Sequence, residues 1–219
     1  MTIAIPTSSE SVRASAWRSS GVIAIATVVL CILSYLYVDR PLSTYLYAGL
    51  RDDRRLFDAL THIVDPFPPI AGAIALWAAF GVLRGVAIRP ALGKLLRVSG
   101  GVCVAIVVND RLKYAFGRTW PETWTLGNPS WIRDHVFGFA PFHGGTGWAS
   151  FPSGHTTVAT AIAAGLWVVF PRGRPIYASG AALVIIGLIG ADYHWLSDII
   201  AGAGLGAAIG LAAARIGAA

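Results

Sequence analysis

The chain has 219 residues, of which 55% are apolar and only 13% charged, and its mean hydropathy is +0.63. Such a composition excludes an ordinary soluble domain and predicts a membrane protein. The net charge of +6 requires no nucleic-acid partner, because the basic residues gather in short turns where membrane topology accounts for them.

Six stretches are apolar and long enough to cross the ~30 Å hydrocarbon core, and they lie near residues 20–38, 68–88, 92–112, 154–171, 175–192 and 197–215. The first, GVIAIATVVLCILSYLYV, is not followed by a small-residue cleavage site, so we interpret it as a span rather than a signal peptide. Because no repeat, low-complexity tract or linker divides the chain, we expect one domain over residues 1–219, with a polar cytoplasmic tail at 1–19. The predicted fold class is an all-α, polytopic bundle of six transmembrane helices.

The basic residues predict the orientation of the bundle. They gather in the tail, in the turns after spans 2 and 4, and at the C-terminus, as Arg13, Arg18, Arg84, Arg89, Lys94, Arg97, Arg172, Arg174 and Arg215. The positive-inside rule makes these sides cytoplasmic. On the opposite side, segment 39–65 is balanced in charge, and its LYAGLRDDRRLFDALTHIV stretch predicts an amphipathic helix resting on the outer leaflet.

The connection between spans 3 and 4, residues 113–153, is far longer than most connections in compact proteins. Its content of Trp, Phe, Gly and Pro favours an ordered structure, and we expect an extracytoplasmic active-site loop. Its aromatic residues are typical of an anchoring belt at the bilayer interface, with a wall for a lipid headgroup as the alternative. They are Trp120, Trp124, Trp131, Phe137, Phe139, Phe142 and Trp148.

Ionisable residues flank this extracytoplasmic surface in a pattern that indicates chemistry. Lys113 and Arg118 leave span 3, although interfacial anchoring also explains single cations there. His194 precedes Asp198 by four residues, so the two share a face if the last helix has begun by His194. The carboxylate would then fix the tautomer of an imidazole nucleophile or base, whereas the alternative is a helix-start ion pair.

The start of span 4 predicts an anion site. Ser153 suits the N-cap, Gly154 allows a backbone amide to approach a ligand, and the first helical turn leaves N–H donors unpaired. Together with His155, the cations and the His194–Asp198 pair, this site suits phosphoryl transfer. No metal or other cofactor is needed for that chemistry.

These residues resemble the type 2 phosphatidic acid phosphatase (PAP2) superfamily of membrane lipid phosphatases over about residues 66–215. The family carries Lys-x6-Arg-Pro, Pro-Ser-Gly-His and Ser-Arg-x5-His-x3-Asp motifs along six transmembrane helices. Here the second motif is complete at 152–155, and the third keeps its catalytic half in HWLSD. The resemblance implies that His194 is the nucleophile, Asp198 its orienting residue and His155 the acid for the leaving group, while Ser153 and the Gly154 amide bind phosphate.

Two arginines of the family pattern are missing. In KYAFGRTWP, Lys113 matches the family lysine, but Trp120 takes the arginine position, and the arginine of the third motif falls on Leu188. We expect Arg118 to replace the first arginine as a phosphate ligand, and Arg111 and Arg133 are candidates for the second.

The leading hypothesis is a phosphatase of the bacterial inner membrane that acts at the extracytoplasmic face on a polyprenyl diphosphate, phosphatidylglycerol phosphate, phosphatidate or phosphorylated lipid A. A non-catalytic lipid-phosphate binding or transport protein is one alternative. A rhomboid-like intramembrane serine protease that uses Ser153 with His194 is another. The sequence chooses neither among the lipids, nor between hydrolysis and phosphoryl transfer, and it indicates no oligomeric state.

Overall fold

The computed structural model describes residues 8–50, 54–124 and 126–216, and the side chains from residue 21 onward. This part of the chain is helical and contains no β-strand. The α-helices are α1 (Ser8–Leu33), α2 (Asp39–Leu50), α3 (Arg54–Thr61), α4 (Phe67–Leu83), α5 (Pro90–Phe116), α6 (Trp131–Asp134), α7 (Gly154–Val169), α8 (Arg174–Gly190) and α9 (Leu196–Arg215).

Five helical stretches in the described residues are long and apolar enough to cross a membrane: Gly21–Leu50, Arg54–Leu83, Pro90–Phe116, Pro171–Gly190 and Leu196–Arg215. The remaining predicted span, at 154–171, corresponds to α7, which has 16 residues. At 1.5 Å per residue α7 is shorter than the hydrocarbon core is thick. It lies inside the bundle against α5, α8 and α9, where neighbouring helices cover it.

Glycines on α9 let this helix approach α7 closely. A Cβ atom at Gly206 would lie 2.1 Å from the Thr157 carbonyl oxygen, and one at Gly210 would lie 2.3 Å from that of Ala161. Gly202 is similarly close to the Ser153 carbonyl. Small residues at four-residue spacing are typical of tightly packed membrane helices. This packing fixes the starts of α7 and α9 beside each other, which positions the residues at both helix starts.

The N-terminal half differs from the sequence prediction. The first membrane helix does not end near residue 38, because a π-helical turn, Ser34–Val38, connects α1 directly to α2. Asp39 consequently lies within a continuous helical stretch and is buried. The predicted surface helix is divided between α2 and α3, with 51–53 outside the described residues, and α3 packs against α8. Of the predicted polar tail, 1–7 are outside the described residues, whereas 8–19 belong to α1.

The basic turns and the candidate site lie at opposite ends of the bundle. Arg97, near the start of α5, donates hydrogen bonds to the carbonyl oxygens of Ala214 (3.3 Å) and Ile216 (3.2 Å) at the end of α9. The end of α5 therefore lies on the same side as the start of α9. Helix α5 extends to Phe116, so Lys113 belongs to its last turn and the connection to α7 begins at Gly117.

Candidate active site

A cavity of ≈ 640 Å³ lies at this end of the bundle. Its wall comes from α5, the start of α7, the α8–α9 connection, the α3–α4 region and the long α5–α7 connection. The ionisable residues that line it are His62, Asp65, Asp110, Lys113, His155, Tyr193 and His194. The structure thus brings Lys113, Gly154, His155 and His194, all predicted site residues, to one cavity.

His194 lies just before α9, so the predicted helical i to i+4 geometry is not how it meets Asp198. Asp198 is the third residue of α9, and its carboxylate reaches back to accept the Trp195 backbone N–H (3.2 Å). The same Oδ2 atom lies 3.3 Å from His194 Nδ1, and Ser150 Oγ lies 3.4 Å from that nitrogen. With Nδ1 facing Asp198, the imidazole presents its other nitrogen as the available lone pair.

The His194 side chain is only 3% exposed. Burial lowers the pKa of its imidazole to about 4, although the Asp198 carboxylate opposes this effect. At neutral pH the ring is therefore uncharged, which is the form that can act as a nucleophile.

Arg118, the residue expected to replace the first family arginine as a phosphate ligand, does not line the cavity. Its side chain is 0% exposed, and its guanidinium donates to Asp198 and to Asp39 of α2. Because two buried carboxylates hold this cation, a substrate phosphate cannot reach it without breaking both ion pairs. Arg118 instead lies behind Asp198, on the side away from His194.

The start of α7 and Lys113 meet at one part of the cavity, where their chemistry suits an anion. Gly154 and His155 are the first residues of α7, so their amides have no acceptor within the helix. A Cβ atom at Gly154 would lie 3.9 Å from Lys113 Nζ, which shows how closely the lysine approaches this helix start. Lys113 Nζ also donates to the Ala149 carbonyl (2.5 Å). The cation and the free amides converge where an oxyanion can bind.

Ser153 has a different position from the one expected of a phosphate ligand. It is fully buried, and its hydroxyl oxygen accepts hydrogen bonds from the Thr156 amide (3.5 Å) and hydroxyl (3.1 Å). Its own amide donates to the Asp198 carbonyl (3.0 Å). Ser153 therefore caps α7 and connects it to α9, and its hydroxyl does not line the cavity.

Sequence reasoning missed the partners of His155. Its Nε2 lies 3.3 Å from Asp65, and Asp65 also lies 2.6 Å from Nδ1 of His62, so one carboxylate holds two imidazoles. His62 is an exposed residue that also lines the cavity. The HIVD spacing at 62–65 places both residues in one helical turn, yet only the packing of the His62–Val64 turn against α7 and of α4 against α5 brings them to His155.

Apolar side chains occupy the two positions where the family pattern has arginine. Trp120 packs against His194, with 4.9 Å between ring centroids, and Leu188 is a buried part of the cavity wall. Neither Arg111 nor Arg133 replaces them at the wall, and Arg133 is held by Asp134 and by backbone carbonyls. Lys113 is thus the one Lys or Arg side chain among the described lining residues.

The aromatic residues of the α5–α7 connection divide between two environments. Trp120 and Trp124 line the cavity, which agrees with a headgroup wall, and Phe137 and Phe139 surround Arg118. Phe142 is exposed, as an interfacial anchor would be. Among the described residues, no group of three or more His, Cys, Asp or Glu side chains is arranged to hold a metal ion.

Comparison of the sequence with those of known proteins identifies a family for the chain. A family model described as the PAP2 superfamily matches residues 94–219, more than half of the chain. A protein named lipid A 1-phosphatase from Rhizobium johnstonii is 36% identical over 97 residues, which are 44% of this chain and 36% of that relative. One of the same name from Rhizobium etli is 34% identical over 96 residues, 43% of this chain and 38% of that relative.

The aligned part of the chain spans little more than a third of the length of these relatives. No solved structure gives a significant match. The matched residues 94–219 contain Lys113, His155, His194 and Asp198, and they exclude His62 and Asp65. By the extent of the family match, the chain belongs to the PAP2 superfamily.

Proposed function

We propose that this protein is a membrane lipid phosphatase that cleaves a phosphate ester or diphosphate of a lipid through a phosphohistidine on His194. The observation that carries the proposal is the uncharged, buried imidazole, whose Nδ1 faces Asp198 while its ring lines the cavity beside Lys113 and the start of α7. A nucleophile, an orienting residue and an oxyanion site around one reacting centre would have this arrangement, and the proposal rests on that agreement.

In the first step, Nε2 of His194 attacks phosphorus, and the bond from phosphorus to the lipid oxygen breaks. His155 donates a proton to the departing oxygen, so the lipid leaves as an alcohol, or as a monophosphate if the substrate is a diphosphate. In the second step, a water molecule attacks phosphorus and gives a proton to His155. The phosphorus–nitrogen bond then breaks and its electron pair returns to Nε2, which releases phosphate and restores the enzyme.

The other residues stabilise charge during both steps. Lys113 and the Gly154 and His155 amides bind the phosphoryl oxygens, where negative charge accumulates in the transition state. Asp65 keeps His155 oriented for proton transfer, because its carboxylate lies 3.3 Å from His155 Nε2. The mechanism uses no metal, so we expect activity to survive EDTA and vanadate to inhibit.

We propose a phosphorylated glycolipid of the lipid A type as the first substrate to test. The matched relatives carry the name lipid A 1-phosphatase, and the family match at residues 94–219 includes Lys113, His155, His194 and Asp198. The extracytoplasmic face is supported by the basic turns, which lie at the opposite end of the bundle from the cavity. A bacterial cytoplasmic membrane fits both arguments.

The test is phosphate release from lipid A, phosphatidate, phosphatidylglycerol phosphate and a polyprenyl diphosphate in detergent. We expect turnover of at least one lipid, loss of turnover in His194→Ala, and normal turnover in His143→Ala, whose exposed ring stacks on Trp148 away from the cavity. Full activity in His194→Ala would exclude the phosphohistidine route.

A non-catalytic binding protein is the second candidate, because Trp120 and Leu188 leave the cavity with fewer cations than the family pattern supplies. Saturable binding of a lipid phosphate without any phosphate release would favour it. The serine protease alternative loses support, since the Ser153 hydroxyl is buried in the α7 cap.

A further inference from the structure

Asp39 is a buried carboxylate of the first membrane helix, outside the residues that match the family model. Its side chain is 0% exposed. It accepts hydrogen bonds from Ser34 Oγ (2.8 Å), Arg118 Nη2 (2.7 Å), Ser197 N (3.0 Å) and Ser197 Oγ (2.5 Å). A charge buried this completely is stable only with a matched partner, and here the partner is Arg118.

Arg118 connects Asp39 to the candidate active site. Its Nη1 donates to Asp198 Oδ1 and to Ser197 Oγ (2.6 Å), while Nη2 donates to Asp39. Five aromatic rings surround the guanidinium carbon at 4.9–5.9 Å, namely those of Tyr35, Phe137, Phe139, Phe151 and Trp195. The rings and the two carboxylates leave the guanidinium one position, so it transmits the position of Asp39 to Asp198.

The charge balance explains why a second carboxylate matters. Asp198 alone with Arg118 would form a neutral pair, and the guanidinium would draw electron density from the carboxylate that His194 needs. With Asp39 on the other side of the guanidinium, the group of three carries one net negative charge. Asp198 then remains a strong acceptor for the Nδ1 proton of His194.

We propose that Asp39 is a positioning residue for the phosphoryl-transfer reaction, acting through Arg118 to hold Asp198 against His194 and to preserve its strength as an acceptor. The expected fall in kcat rests on the proposed function. The expected effect on how Asp198 is held against His194 does not. It adds the first membrane helix, which precedes the matched family region, to the apparatus of the site.

The test variant is Asp39→Asn, which keeps the shape of the side chain and removes its charge. Asp192→Asn is the matched control, because Asp192 is also buried and hydrogen-bonded to α2, through Ser43 Oγ (2.8 Å), but does not contact Arg118. Burial raises the pKa of Asp192 to about 8, so this carboxyl group is already mostly neutral at pH 7. Its substitution should leave kcat within twofold.

For Asp39→Asn we expect kcat to fall about tenfold, equivalent to about 1.4 kcal/mol, with KM within twofold. In an Asp198→Asn background the same substitution should cost less than twofold, because its effect passes through Asp198. An additive loss would show that Asp39 acts on the fold in general, and would overturn the proposal.

A second measurement does not depend on the lipid substrate. Nitrogen NMR of ¹⁵N-histidine-labelled protein reports the imidazole tautomer, and His194→Ala identifies the His194 signals among the five histidines. The groups that face His194 electrostatically are Asp198, Lys113 and His155, and none of them changes in the variant. We expect the Nδ1-protonated form to predominate in the wild type and to lose population in Asp39→Asn.

An unchanged tautomer ratio would overturn the inference even if kcat fell. If the wild type releases phosphate from no lipid, the proposed function fails, and the tautomer measurement alone decides the role of Asp39. If Asp39→Asn does not fold, Asp39→Glu tests the same idea, because it keeps the charge but displaces the carboxylate by one methylene. It should retain the wild-type tautomer ratio more closely than any neutral variant that folds.

Discussion

Arg118→Leu separates two roles for this arginine. Loss of a buried ion-pair partner should lower the thermal stability, whereas loss of a phosphate ligand should weaken the binding of vanadate. The substitution removes the cation and leaves the carboxylates of Asp39 and Asp198, both 0% exposed, without their shared partner. Breaking a buried ion pair by removing one member costs about 3–5 kcal/mol. For a protein of this size, each kcal/mol lowers Tm by about 2–4 °C, so we expect Tm to fall by on the order of 6–20 °C.

The assay is thermal unfolding in detergent, together with vanadate binding at a temperature where the variant is folded. Arg111→Leu is the control, because Arg111 is also an arginine near the end of α5 but is exposed, and the Tm of this variant should change by less than about 2 °C. Adding Asp39→Asn to Arg118→Leu should recover part of the lost stability, since one orphaned charge is removed. An unchanged Tm with vanadate affinity weakened more than tenfold would refute this reasoning and restore Arg118 as a phosphate ligand.

Four further predictions follow from the same geometry. Burial lowers the pKa of His194 to about 4, below its ordinary value near 6.5, so the folded state binds fewer protons at this residue than the unfolded state does. The contribution of His194 to the free energy of unfolding is therefore complete above pH 6.5. It is lost as the pH falls toward 4, by up to about 3 kcal/mol. Thermal unfolding from pH 7 to pH 4.5 should show a steeper decline in the wild type than in His194→Ala, and equal slopes would contradict it. Asp65→Asn should slow the cleavage of a lipid alkyl phosphate about tenfold but barely change the cleavage rate of p-nitrophenyl phosphate, whose leaving group needs no proton. Equal losses of rate on both substrates would show that Asp65 does not act in proton transfer. Gly206→Ala should prevent normal α7–α9 packing and abolish folded protein, as judged by size-exclusion chromatography. Gly180→Ala should be tolerated, because no atom lies within 4 Å of the added Cβ. A well-folded Gly206→Ala protein would disprove the close approach of the two helices. In a variant without Cys31 and Cys103, Thr146→Cys should react with an impermeant thiol reagent in intact spheroplasts, whereas Gly85→Cys should not. The reverse pattern of labelling would show that the proposed orientation in the membrane is inverted.

Local sequence patterns were enough to predict the helical membrane class and four of the residues that line the cavity. Hydropathy identifies each membrane segment from its own residues. Consecutive membrane helices run in opposite directions, so the end of α5 and the starts of α7 and α9 lie on the same side. The residues at or next to these helix ends are Lys113, Gly154, His155 and His194. The pairing of His194 with Asp198 was also predictable from its four-residue spacing. The predicted helical geometry was wrong, because α9 begins at Leu196 and the carboxylate reaches back from its first turn.

Sequence alone determined the helical membrane class, the polar groups at the helix ends and the family motifs, because those depend on residues near one another in the chain. Only the tertiary structure decided which charge meets which. Arg118 looked like a phosphate ligand by its place beside Lys113, yet Asp39, 79 residues earlier, and Asp198, 80 residues later, hold it away from the cavity. Likewise the Asp65 partner of His155 comes from a distant segment. The electrostatic energy of a buried ion depends on the groups within a few ångströms, and helix packing, rather than sequence separation, sets those distances.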